Sequence, residues 1–171
     1  MTVLRTPRLQ LRELTFEDDA FILELLNDEA FLRYIGDKGV RTPADARNYL
    51  QQGPIDSYQR NGFGLYAVCT HGGPTAPVGI CGLVRREGLQ DPDVGFAFLA
   101  RHRGRGYAVE AAAAVLDLGT HTLKLPRIVA ITAPDNWASI RVLEKIGMKF
   151  DRLMSLSDRA DDEVKLFVQS A

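Results

Sequence analysis

The chain has 171 residues, 46% of them apolar and 25% charged, with a formal net charge of −1. That balance predicts one soluble globular domain spanning residues 1–171, long enough to bury a sizeable core. The near-neutral charge argues against bulk binding to nucleic acid or an anionic membrane, and no apolar run reaches transmembrane length, so a basic function must come from a local patch.

The opening Met1-Thr2-Val3-Leu4-Arg5-Thr6-Pro7 lacks the basic and apolar regions of a secretion signal, and a cytoplasmic location is expected. Arg8-Leu9-Gln10-Leu11-Arg12 alternates as a strand does. Thr15-Phe16-Glu17-Asp18 predicts a helix start with Thr15 as cap, followed by the apolar stripe Phe21, Ile22, Leu25 and Leu26. Thr42-Pro43-Ala44-Asp45 predicts a second start with proline at the first helical position. This helix is expected to reach Asn61-Gly62, with a break or kink at Gly53-Pro54.

Residues 65–69 and 78–84 read as strands joined by a turn over 71–77. Cys69 and Cys81 lie inside these apolar runs and are expected to be buried free thiols; a zinc site would need a denser Cys/His set, and no metal is expected. A loop over 87–92 precedes the strand that includes Val94-Gly95-Phe96-Ala97-Phe98-Leu99. After residue 106 the spacing of Ala108, Ala111, Ala112, Val115 and Leu118 is helical. A strand over 127–132, a helix from Asn136 to Gly147, and strands over 148–154 and 164–168 follow, with polar residues 155–163 between the last two. Seven strands and four helices make one mixed α/β layer domain.

Residues 101–108, Arg101-His102-Arg103-Gly104-Arg105-Gly106-Tyr107-Ala108, sit between a strand and a helix and carry the strongest functional signal. A two-glycine loop opening a helix exposes unpaired N–H groups at the positive end of the helix dipole, a ready site for phosphate. Three arginines add charge for a multiply phosphorylated ligand. The string is not a Walker A loop. The dinucleotide fingerprint Gly-x-Gly-x-x-Gly fails at Val109, which disfavours a nucleotide-binding oxidoreductase.

What remains, Arg-x-x-Gly-x-Gly, resembles the pyrophosphate loop of the GNAT superfamily of acetyl-coenzyme A-dependent N-acetyltransferases. Asp93-Val94-Gly95-Phe96 resembles the fourth strand of that fold. Asn136-Trp137-Ala138-Ser139 with Val142-Leu143-Glu144-Lys145-Ile146-Gly147-Met148 resembles its last helix and following strand. Thr6-Pro7-Arg8-Leu9-Gln10-Leu11-Arg12 looks like the start of the RimJ/RimL branch, the ribosomal-protein N-terminal acetyltransferases and their relatives. The pieces occur in the family's order over nearly the whole chain.

The resemblance implies a single α/β (α+β) GNAT-like domain with a central, mixed, mostly antiparallel sheet. It implies acetyl transfer from acetyl-coenzyme A directly to a primary amine, either a protein N-terminus or a small amine, by a monomer or homodimer. Backbone groups at Ala97, Phe98 and Leu99 would pair with the pantetheine arm. Amides of Arg103, Gly104, Arg105, Gly106, Tyr107 and Ala108 would hold the pyrophosphate. Asn136 would bond the pantetheine region, and Ser139 would lie near the thioester sulfur. Many family members carry a tyrosine seven residues after the asparagine; here Leu143 stands there, so Ser139 becomes the group that stabilises the leaving thiolate. Asp93 matches a position where relatives often carry glutamate and would take the amine proton through water, with Glu13 and Glu110 as weaker alternatives. From the residues alone, Asn136 also fits a helix cap and Asp93 a surface aspartate closing a loop. A non-catalytic coenzyme A-binding or sensor module is the rival reading.

Overall fold

The computed structural model describes residues 1–73, 76–157 and 162–169. Alternating side chains generate its first strands, β1 (Thr2–Arg5) and β2 (Leu9–Glu13). Thr15 and Asp18 then close a capping box, the Thr15 N–H donating to Asp18 Oδ2 at 2.9 Å, and a short 3₁₀ turn leads into α1 (Asp19–Leu26). Asp28 caps α2 (Glu29–Tyr34) by accepting from the N–H groups of Ala30 and Phe31. The second predicted start is a capping box of Thr42 and Asp45, with Pro43 opening α3 (Pro43–Leu50). At Gly53-Pro54 the helix does not end. It widens into one π-helical turn, Gln51–Ile55, which accommodates the missing proline N–H, and continues as α4 (Asp56–Asn61).

Strands β3 (Leu65–Thr70), β4 (Gly79–Val84) and β5 (Asp93–Phe98) follow, then α5 (Tyr107–Asp117), β6 (Val129–Thr132), α6 (Trp137–Lys145), β7 (Met148–Ser155) and β8 (Glu163–Gln169). Among the described residues eight strands form one sheet in the order β1-β2-β3-β4-β5-β6-β8-β7. The strand beyond the seven expected is β1, a four-residue edge strand too short to stand out in the sequence. The extra helices are α2 and the separately delimited α4. Part of the predicted 71–77 turn and of the polar 155–163 segment lies outside the described residues. None of the helices described is long and apolar enough to cross a membrane.

The two faces of the sheet build two cores. Tyr66, Val68, Cys81, Leu83, Val94 and Phe98 pack under α5 and α6 against Ala111, Val115 and Leu143. Ala67, Cys69 and Ile80, on the opposite face, pack under α1–α3 with Ile22, Leu25, Phe31 and Leu50. The alternation within β3 and β4 thus divides side chains between faces, each fully buried leucine contributing about 2 kcal/mol. Neither cysteine is in a disulfide, and both are buried.

All strand pairs are antiparallel except β5 and β6, which run parallel and share one register pair, Asp93 with Val129. The Val129 N–H donates to the Pro92 carbonyl at 3.0 Å, and beyond that point the pairing stops. The sheet is therefore unzipped along the rest of β5, in its middle rather than at its rim.

Candidate active site

The unzipped edge decides which β5 backbone groups are available to a ligand. In an antiparallel ladder, successive residues turn their N–H and C=O to alternate sides. The Leu99 N–H donates to the Val78 carbonyl at 3.0 Å, and Ala97 stands opposite Ile80, so residues 93, 95, 97 and 99 address β4. Residues 94, 96 and 98 address the cleft. Of the three positions expected to pair with the pantetheine arm, only Phe98 is turned to the cleft side; Ala97 and Leu99 are turned to β4, and Phe96 shares the cleft side with Phe98. The reason is parity, which the sequence does not display until the β4 register is known.

The cleft leads into the loop after β5. A 3₁₀ turn, Ala100–His102, uses the Arg103 N–H as a donor to the Ala100 carbonyl at 3.2 Å, which removes that amide from the expected phosphate set. Gly104 and Gly106 then adopt φ of +77° and +80°, a left-handed conformation that glycine takes without strain. This carries the chain into the α5 N-terminus, where first-turn N–H groups lack helical partners. A Cβ on Gly104 would meet nothing within 4 Å, so open space lies beside this glycine. Burial first, then the Arg101 and Arg105 cations, push His102 below its usual pKa.

The arginines differ in their commitments. Arg103 Nε donates to the Phe98 carbonyl at 2.9 Å while its terminal nitrogen pairs with Asp28, the cap of α2. Arg101 pairs with Glu24 of α1. Arg105 is exposed. The loop is thus tied to the first two helices as well as to β5.

Across the cleft, Asn136 caps α6: its Oδ1 accepts the Ser139 N–H at 3.3 Å. The capping role is present, and it leaves the amide nitrogen of Asn136 able to donate. Ser139 is half-buried on the first turn of α6. Leu143, where many family members have tyrosine, is buried in the core.

Asp93 is not a surface loop residue. It is 1% exposed, at the point where β5 and β6 part, and Arg86 grips it with two hydrogen bonds of 3.2 Å, from Nε to Oδ1 and from the terminal nitrogen to Oδ2. Burial pushes its carboxyl above the ordinary aspartate value, against the pull of the Arg86 cation. Glu110 is engaged on the far side of the loop by Thr6 and Arg8. Sequence reasoning missed Arg8, Arg86 and Phe96; the first two become visible only when contacts across the fold are known.

A sheet split between parallel strands, with a two-glycine helix entry at the mouth of the split, defines an acyltransferase of the GNAT type. The model of the Acetyltransferase (GNAT) domain family matches residues 8–149, and the chain belongs to this family and is an N-acetyltransferase. It is 34% identical over 157 residues to the uncharacterized protein YkkB of Bacillus subtilis (strain 168), covering 88% of this chain and 87% of that one. It is 30% identical over 146 residues to the uncharacterized N-acetyltransferase YnaD of the same organism, covering 85% and 82%. Among solved structures it is similar to an acetyltransferase from Agrobacterium tumefaciens str. C58, at TM-score 0.80 and 27% identity over 100% of this chain and 95% of that one. The fold also matches RimL, a ribosomal L7/L12 alpha-N-protein acetyltransferase in complex with coenzyme A, at TM-score 0.82 and 16% identity over 99% and 97%.

Proposed function

We propose that this chain transfers acetyl from acetyl-coenzyme A to a primary amine, held by the β5 edge and the Gly104–Gly106 loop. The observation that carries this reading is the continuity of the two: a strand edge open at Phe96 and at the Phe98 N–H runs directly into an arginine-bearing two-glycine loop at a helix N-terminus. An extended amide-bearing arm suits the first and a pyrophosphate the second. The open space over Gly104 supplies the room an anion needs.

When bound, acetyl-coenzyme A supplies an activated acetyl thioester. Phe96 and Phe98 hold the pantetheine arm through backbone groups, and the amides of Gly104, Arg105, Gly106, Tyr107 and Ala108 hold the pyrophosphate. Asn136 donates from its side-chain amide to the arm. As the C–N bond forms and the C–S bond breaks, the Ser139 hydroxyl donates to the sulfur and offsets its developing charge. The amine must lose a proton to attack, and Asp93 receives it through water. Its raised pKa is the direction a base near neutral pH needs, and release of one carboxylate oxygen by Arg86 opens the path. The fold serves protein N-termini and small amines alike, so the acceptor class is set by groups around the cleft rather than by the architecture.

Thiol release from acetyl-coenzyme A, followed across a panel of peptide N-termini and small amines, tests the reading. Turnover with at least one amine is expected. Coenzyme binding without turnover across the panel would favour a sensor module instead. A pH–rate series with the best acceptor then tests Asp93. Asp93→Asn should lower the rate at neutral pH, and the loss should shrink as pH rises and the amine deprotonates unaided. Superimposable profiles would leave Asp93 as a structural partner of Arg86.

A further inference from the structure

We infer that Arg8, in the turn between β1 and β2, is a positioning residue for the pyrophosphate loop, and that it acts by fixing the orientation of the Arg105–Gly106 peptide. This rests on the assignment of that loop to coenzyme A and adds to it a residue nearly a hundred positions away in the chain.

The geometry is specific. A terminal nitrogen of Arg8 donates to the Arg105 carbonyl at 2.8 Å. No peptide bond described here is cis. In a trans peptide the C=O and the following N–H point in opposite directions. Holding the Arg105 carbonyl toward Arg8 therefore turns the Gly106 N–H away from Arg8, toward the concave side of the loop. The guanidinium also sits close against Gly106: a Cβ there would lie 3.2 Å from the second terminal nitrogen of Arg8.

Arg8 is in turn held from three directions. Its Nε donates to Glu110 Oε1 at 2.7 Å, and its own backbone N–H donates to Glu110 Oε2 at 2.9 Å. Its guanidinium lies over the Tyr107 ring, 4.8 Å from the centroid. The Thr6 hydroxyl donates to the same Glu110 carboxylate. Glu110 belongs to the first turns of α5, so Arg8 bridges the last loop peptide to the helix that follows it. Its charge is balanced by Glu110, which makes orientation, rather than attraction of phosphate, its contribution. A peptide free to flip would present a carbonyl to the pyrophosphate in place of an N–H.

The test separates the pyrophosphate from the rest of the coenzyme. Acetyl-coenzyme A and S-acetylpantetheine, which lacks the pyrophosphate, are compared as acetyl donors for wild type, Arg8→Ala, Arg8→Lys and Glu110→Gln. Arg8→Ala should raise KM for acetyl-coenzyme A about tenfold, the scale of one oriented hydrogen bond. KM for S-acetylpantetheine and kcat with it should be unchanged. Arg8→Lys should not rescue, because an ammonium cannot hold Glu110 and the Arg105 carbonyl in the same fork. Glu110→Gln should show the same donor-selective loss in weaker form, and it carries the test if Arg8→Ala does not fold. Equal losses with both donors would overturn the inference in favour of a general structural role, and so would an unchanged KM for acetyl-coenzyme A. A wild type that uses neither donor would instead overturn the coenzyme assignment itself.

Discussion

Ser139 lies half-buried on the first turn of α6, with its N–H committed to the Asn136 cap. The hydroxyl is needed most when charge builds on sulfur, so Ser139→Ala should lower kcat while leaving the Kd for acetyl-coenzyme A nearly unchanged. Loss of one such donor is typically on the order of 10² in rate. Single-turnover rates and equilibrium titration on the same variant check both halves, and a wild-type kcat would make the serine structural. At this scale the sequence was legible wherever a residue acts locally. The capping boxes Thr15/Asp18 and Thr42/Asp45 were readable because both partners lie within three positions. The grip of Arg86 on Asp93 was not, since a loop lies between them and the burial of Asp93 depends on where β6 docks.

At the scale of elements, α5 is secured to the sheet by more than its apolar face. Thr6, the Arg8 backbone and the Arg8 side chain all donate to Glu110, which ties the β1–β2 turn to the start of that helix. Burial alone would raise the Glu110 pKa, but these donors outweigh it and hold the carboxyl below its usual value of 4.5. A carboxyl depressed in the folded state contributes stability above its unfolded pKa and loses it as pH falls through the folded value. Glutamine cannot ionise. The Tm gap between wild type and Glu110→Gln should therefore be full at neutral pH and shrink once pH drops below about 4.5. Thermal melts between pH 7 and pH 3 measure it, and a pH-independent gap would contradict the ionic tie. Elements with strong periodicity were readable in advance: β3, β4, α5 and α6 lie close to their expected places. β1 and α2 escaped because four and six residues give too few repeats to establish a period.

The whole molecule is a sheet opened in its middle, with a helix layer on each face and the 101–108 loop tied to α1, α2 and the β1–β2 turn. Arg101 and Arg103 reach α1 and α2, and Arg8 reaches the loop from the β1–β2 turn. The family and its architecture were legible because ordered motifs span the chain. The split between β5 and β6 and the parity that exposes Phe96 and Phe98 were not, because they depend on strand register across residues far apart in sequence. We place coenzyme A in this opening, with the Gly104–Gly106 loop at its mouth. Calorimetric titration of coenzyme A into wild type and Gly104→Val tests it most directly. Wild type should bind one coenzyme A per chain. Valine at Gly104 should abolish binding, since its side chain would fill the open space over the loop and strain a φ of +77°. A folded wild type that does not bind coenzyme A, or a folded Gly104→Val that binds it as wild type does, would rule this site out.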